Sequence, residues 1–147
     1  MIVPNLAIEL ARRFEGLRLE PYHDFAGFAT IGYGSLLSRL KWVDLSKWPP
    51  ITPEEAEALL ADDIGSAARS VARLCPVALT DGQFAALIDF AFNLGAGNLQ
   101  ASTLRRMVNR GEHNEAREQF GRWVYAGAVK LPGLVRRRAA EAALFKD

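Results

Sequence analysis

The chain is poor in the residues that carry metal and redox chemistry. Its 147 residues hold one cysteine and two histidines. A lone Cys75 closes no internal disulfide, so the fold does not rest on oxidation and a reducing cytoplasm suits it. Its place between Leu74 and Pro76 fits a small buried hydrophobe better than a reactive thiol. His23 and His113 lie 90 residues apart and, even with Asp24, offer no ligand spacing. Neither a metal nor another cofactor is expected. No apolar run reaches the roughly 18 residues of a spanning helix, so stable membrane insertion is not expected. The N-terminus carries Glu9 inside its apolar stretch and lacks a basic start with a small-residue cleavage site. It does not read as a signal peptide. There is no internal repeat, low-complexity tract or linker, and a single domain over 1–147 is expected.

What is present is globular. Half of the residues are hydrophobic and 24% are charged. Alanine is abundant and β-branched residues are sparse, which favours helix. The net charge is +1, unevenly spread. Residues 1–100 carry 8 Lys and Arg against 12 Asp and Glu, whereas residues 101–147 carry 10 against 5. A basic final third can attract an anionic polymer, or it can be a solvated helical surface with local ion pairs. A nucleic-acid binder using 101–125 and Arg136, Arg137 and Arg138 is conceivable. The near-zero overall charge and the lack of a recognition motif argue against it.

Along the chain, Leu6, Leu10 and Phe14 recur four apart, with Ile8 and Ala11 beside them. That spacing predicts an amphipathic helix over 4–14, with Pro4 in its first turn and Gly16 at its end. From Leu17 to Gly34, glycines and Pro21 punctuate short aromatic and β-branched runs, and a small antiparallel sheet is expected over about 17–35. Residues 35–51, with Trp42, Trp48 and Pro49-Pro50, resemble a loop. Its tryptophans either cover a groove or pin the loop to the body, and pinning is the plainer expectation. A helical body follows over about 52–147. Thr52, Pro53 and Glu55 form a capping box that opens a helix to about Leu74. Thr80-Asp81-Gly82-Gln83 opens a second, whose run "FAALIDFAF" is apolar nearly all round and belongs in a core. Further helices are expected at 101–110, 113–125 and 134–145. The fold class is α+β, mostly α, with a cleft expected between sheet and helices.

The stretch "FEGLRLEPYHDFAGFATIGYG" concentrates the chemistry. Glu15 follows Phe14 at a helix C-terminus, where the dipole and partial burial favour the neutral acid. Asp24 lies in a turn beside His23 and backbone amides, which favour its anion. Two carboxyls driven apart in protonation are the pattern of a glycosidase. Thr30, β-branched and short of rotamers, could orient a water together with Asp24. Spacing alone leaves the bland alternative open, with Glu15 a surface residue near a helix end and Asp24 a turn former.

The pattern Glu-x8-Asp-x5-Thr, filled by Glu15, Asp24 and Thr30, resembles the phage-type lysozymes of the T-even endolysin family, glycoside hydrolase family 24. "EGLRL", the Tyr22-x-Asp24 pair and "TIGYG" followed by Leu36-Leu37 match as well. The resemblance continues through "TPEEAEALLADDI", "FAFNLG" and "LPGLVRRRAAEAALF", covering almost the whole chain. It implies a lysozyme-like fold. It implies Glu15 as proton donor, Asp24 as the aspartate assisting water attack and Thr30 as the residue that positions the water. Leu36 and Phe92 match apolar positions lining the sugar cleft, and Thr103 a small hydroxyl residue there. Arg117 falls near another substrate-contacting position. Arg137, of the three consecutive arginines, corresponds to the one that pairs with the catalytic glutamate. Two departures stand out: Ser35 replaces a histidine of the T-even member, and Asn93 a glutamine.

The implied activity is that of an endolysin, a muramidase. It would hydrolyse the β-1,4 bond between N-acetylmuramic acid and N-acetylglucosamine in bacterial peptidoglycan, with inversion, for host-cell lysis. Inversion calls for carboxyls roughly 6.5–9.5 Å apart. The alternatives are a non-catalytic peptidoglycan-binding module of the same fold, or a lytic transglycosylase. The expected partner is peptidoglycan rather than nucleic acid, and the protein is expected to act as a monomer. The protein is expected in the host cytoplasm until a holin-type pore admits it to the periplasm and wall.

Overall fold

A computed structural model describes residues 1–146. Contacts divide the chain into two compact units, Arg12–Asp63 and Met1–Ala11 with residues from Ile64 on. The boundaries fall inside helices α1 (Asn5–Phe14) and α2 (Pro53–Leu74).

The unit Arg12–Asp63 is built on a three-stranded antiparallel sheet in the order β1 (Arg18–His23), β2 (Phe28–Gly32), β3 (Ser35–Lys41). The Asp24-to-Gly27 turn joins the first pair, with Gly27 N–H donating to Asp24 O at 2.9 Å and Asp24 N–H to Phe28 O at 3.0 Å. Tyr22 pairs with Thr30, and Thr30 with Leu36. Ala29, Ile31 and Ala56 are buried here. The sheet reaches further than the sequence suggests, for β3 and a 3-10 turn at Leu45–Lys47 occupy the segment expected to be a loop. β3 alternates weakly and is largely exposed beyond Ser35, so its period-2 signal is faint. The predicted capping box is formed: Glu55 N–H donates to Thr52 Oγ1 and Thr52 N–H to Glu55 Oε1, each at 3.1 Å.

In the other unit, α3 (Asp81–Leu94) is the central helix, buried from Ala85 to Ala91. Thr80 caps it in a second capping box with Gln83. Around it come α4 (Ala96–Ala101), α5 (Thr103–Asn109), α6 (His113–Gln119), a 3-10 turn at Phe120–Arg122, a two-stranded hairpin of β4 (Tyr125–Ala126) and β5 (Val129–Lys130), and α7 (Pro132–Leu144). The helix predicted over 113–125 therefore ends early and gives way to the hairpin. Phe90 meets Phe120 and Trp123 edge to face at 5.9 and 5.3 Å, and Phe120 meets Phe145 at 5.5 Å. These rings form an aromatic core. Cys75 is buried as expected, and burial pushes its thiol up to about 11. Among the described residues no helix is long and apolar enough to cross a membrane.

Candidate active site

The three residues of the Glu-x8-Asp-x5-Thr pattern all fall in the unit Arg12–Asp63. Glu15 is the first residue past α1, half-buried in a bend. Its carboxyl lies against Gly34 in the β2–β3 turn. A Cβ built on Gly34 would come within 3.4 Å of Glu15 Oε2, and the backbone there has φ +94°. Glycine is thus required for the backbone conformation, and the acid packs directly against it.

Asp24 sits at the mouth of the β1–β2 hairpin. Its Oδ1 accepts from Ala26 N–H and Phe28 N–H, both at 2.9 Å. The second oxygen, Oδ2, has no hydrogen-bond partner among the described residues. One oxygen is fixed by backbone dipoles and the other is left for chemistry. Thr30 is buried in β2, donating its hydroxyl to Phe28 O at 2.8 Å. The rotamer is therefore locked, and a lone pair remains to accept.

Tyr22 lies on β1 two residues before Asp24. It stands opposite Thr30 in the sheet, and its phenol is pushed up, foremost by burial, with Glu15 and Asp24 acting the same way and Arg18 against them. The Arg18 guanidinium lies 4.0 Å from the Tyr22 ring centre. Ser35, in the histidine's place, donates to Asp63 Oδ2 at 2.6 Å. Burial raises the Asp63 carboxyl, and the Ser35 hydrogen bond acts against it.

Leu36 is the register partner of Thr30 on β3 and is exposed. The remaining sequence-predicted residues belong to the second unit. Phe92 is half-buried on α3 with the Arg137 guanidinium 5.8 Å from its ring centre, so those two come together. Thr103 opens α5 and accepts from Arg106 Nη2 at 2.8 Å. Arg117 on α6 donates through Nε to Phe145 O at 2.6 Å and lines a cavity of about 300 Å3 with Val124, Lys130 and Arg138.

Sequence reasoning missed what holds Arg137. Asp89 takes its guanidinium in a fork, Nε to Oδ2 at 2.8 Å and Nη2 to Oδ1 at 2.7 Å. Both side chains are almost wholly buried. Arg138 donates through Nη2 to Glu141 Oε2 at 2.7 Å and to Asn93 Oδ1 at 2.8 Å. Its Nε stands 2.6 Å from Glu141 Oε1 without hydrogen-bond alignment. Glu141 is pushed up to about 10, first by burial and then by a hydrogen bond with Asp89. One signal was available: Asp89 is the single charge inside "FAALIDFAF".

A helix-rich chain whose small antiparallel sheet gathers a glutamate, an aspartate and a threonine defines a lysozyme-like protein. The chain belongs to the phage lysozyme family, whose model matches residues 12–141. The endolysin of Acyrthosiphon pisum secondary endosymbiont phage 1 is 35% identical over 151 residues, covering 100% of this chain and 99% of that one. The endolysin of Bacillus phage B103 is 37% identical over 147 residues, covering 99% of this chain. This chain spans only 54% of that relative's length. Among solved structures, the muramidase domain of SpmX from Asticaccaulis excentricus aligns with TM-score 0.86 at 33% identity, covering 99% of this chain and 98% of that one.

Proposed function

We propose that this chain is a muramidase of the endolysin type, hydrolysing the β-1,4 bond between N-acetylmuramic acid and N-acetylglucosamine in bacterial peptidoglycan. The observation that carries the reading is the seating of two acids within the unit Arg12–Asp63. Glu15 rests against Gly34, while Asp24 offers Oδ2 with Oδ1 fixed by two amides. Glu15 gives its proton to the leaving oxygen. Asp24 stabilises the oxocarbenium-like transition state and, with the locked hydroxyl of Thr30, directs a water to the anomeric carbon. The names of the relatives, endolysins and a muramidase domain, support the same substrate. Leu36, Phe92, Thr103 and Arg117 are the proposed sugar-contacting residues. Arg137 is anchored within the helical unit by Asp89. Action as a monomer, reaching the wall through a holin-type pore, completes the proposal.

The test is turbidity loss of bacterial cells with Glu15→Gln, followed by mass spectrometry of the released fragments. Removing the general acid is expected to cost at least about 100-fold in rate. Near-normal lysis by the variant overturns the assignment. Anhydro sugar ends, one water lighter than hydrolysed ends, overturn the attacking water.

A further inference from the structure

Trp42 is left over by the catalytic reading. It follows β3 with φ 57°, and it is the single non-glycine residue in the left-handed region among the described residues. A bulky side chain there is strained, and such strain persists only where the surroundings impose it. Burial does not compensate for it: Trp42 is 66% exposed.

The strain does position the ring. Trp42 N–H donates to Gly27 O at 2.8 Å, which docks the end of β3 onto the β1–β2 turn. The indole then lies flat where a side chain on Gly27 would be, for a Cβ built there falls 2.5 Å from the ring. His23 meets it edge-on at 5.2 Å, and His23 Nε2 is held 2.8 Å from Val43 O. The aromatic face is thus fixed from below and from the side, with the rest open to solvent. Phe25 at the hairpin tip is fully exposed. Trp42 and Phe25 line a cavity of about 530 Å3 together with Arg18, Tyr22, His23 and Asp24.

We propose that Trp42 and Phe25 form a saccharide platform, a subsite that seats one pyranose ring of the glycan beside the bond served by Asp24. This rests on the glycan-cleaving reading. Three features select a sugar. The wall is continuous with Asp24, so its occupant adjoins the reacting centre. The cavity falls in the roughly 300–1,000 Å3 range of small-ligand sites, which combine apolar walls with a few polar groups. A pyranose is amphipathic in the same sense: its C–H face suits an aromatic surface, while its hydroxyls and acetamido group suit Arg18 and Asp24.

The experiment uses the full chain carrying Glu15→Gln, so that ligand survives, and a stem-free oligomer of alternating N-acetylglucosamine and N-acetylmuramic acid. Affinity is measured by calorimetry with and without a second substitution. Trp42→Gly removes the ring and also relaxes the backbone, since glycine accepts φ 57°. It is expected to weaken oligomer binding about tenfold or more, with Trp42→Phe retaining most of the affinity. Urea unfolding confirms that the variants fold. Trp42→Leu, apolar and bulky but without an aromatic face, carries the same expectation should Trp42→Gly not fold. Unchanged oligomer affinity in the variants overturns the platform. So does Trp42-dependent binding of free stem peptide with no effect on the stem-free glycan. The parent reading fails separately, through normal lysis by Glu15→Gln alone. Lost lysis there with unaltered affinity in Trp42→Gly removes only the platform.

Discussion

Replacing Glu141 by glutamine tests the buried charge cluster of the helical unit. Glu141 is fully buried, with Arg138 Nη2 on one side and the Asp89 carboxylate on the other. Burial and the hydrogen bond with Asp89 raise it to about 10, against Arg138 acting downward. At neutral pH the folded chain therefore holds a proton on Glu141 that the unfolded chain, with a glutamate near pKa 4.3, has released. The sign follows from linkage. A folded-state pKa above the unfolded value gives stability that is complete below about pH 4 and is lost as pH rises toward about 10. One proton corresponds to about 1.4 kcal/mol per pH unit, so Glu141 alone removes about 3 kcal/mol between pH 6 and pH 8. Against a total of roughly 5–15 kcal/mol for a domain, that is a large fraction.

Glutamine reproduces the protonated acid. Its amide can donate to Asp89 while its oxygen accepts from Arg138. Glu141→Gln should therefore lose little stability at pH 6 and gain on the parent as pH rises, the gap widening by about 1.4 kcal/mol per unit. Urea unfolding of both proteins at pH 6, 7 and 8, with equal m-values, measures it. Parallel stability curves would refute the reasoning. A constant loss of about 3–5 kcal/mol at every pH would show instead an ionised Glu141 whose removal leaves Arg138 buried and unpaired.

Two further substitutions examine the local architecture. Gly34→Ala forces a side chain into φ +94° and 3.4 Å from Glu15 Oε2, so it should cost about 1–2 kcal/mol in urea unfolding and lower the lytic rate more than stability explains. Unchanged lysis would mean that Glu15 does not need its seat on Gly34. Thr52→Ala breaks the capping box that opens α2 and should cost about 1 kcal/mol, a fall of roughly 2–4 °C in Tm. It should leave lysis below the melting range unaltered.

The elements that were legible in the sequence are those whose signals are local. α2 begins at Pro53 because Thr52 and Glu55 satisfy each other's backbone donors, and this can be read from four letters. α1 ends at Phe14, so Glu15 falls just past the helix end as its spacing from Gly16 suggests. β3 and the β4–β5 hairpin were not legible. Strands this exposed owe their form to a neighbour: Ser35 and Leu36 are extended because Ile31 and Thr30 present a ladder to them. The hairpin strands are two residues each, too short for any periodicity.

The candidate site divides along the same line. Glu15, Asp24 and Thr30 lie within one hairpin and its approach, so their chemistry could be framed from spacing and turn residues alone. Asp89, Glu141 and Trp42 have their properties set by distant or unusual partners. Asp89 in an apolar run looks like a helix residue until Arg137, 48 positions on, closes its fork over it. Glu141 looks like an ordinary i,i+3 partner of Arg138 until burial and a second carboxylate move its proton affinity. Trp42 looks like a loop anchor, and only the missing Cβ of Gly27 shows that its ring is seated there while most of the residue stays in the open. In each case the deciding quantity is desolvation or close approach, and both depend on which residues meet across the fold rather than on their order in the chain.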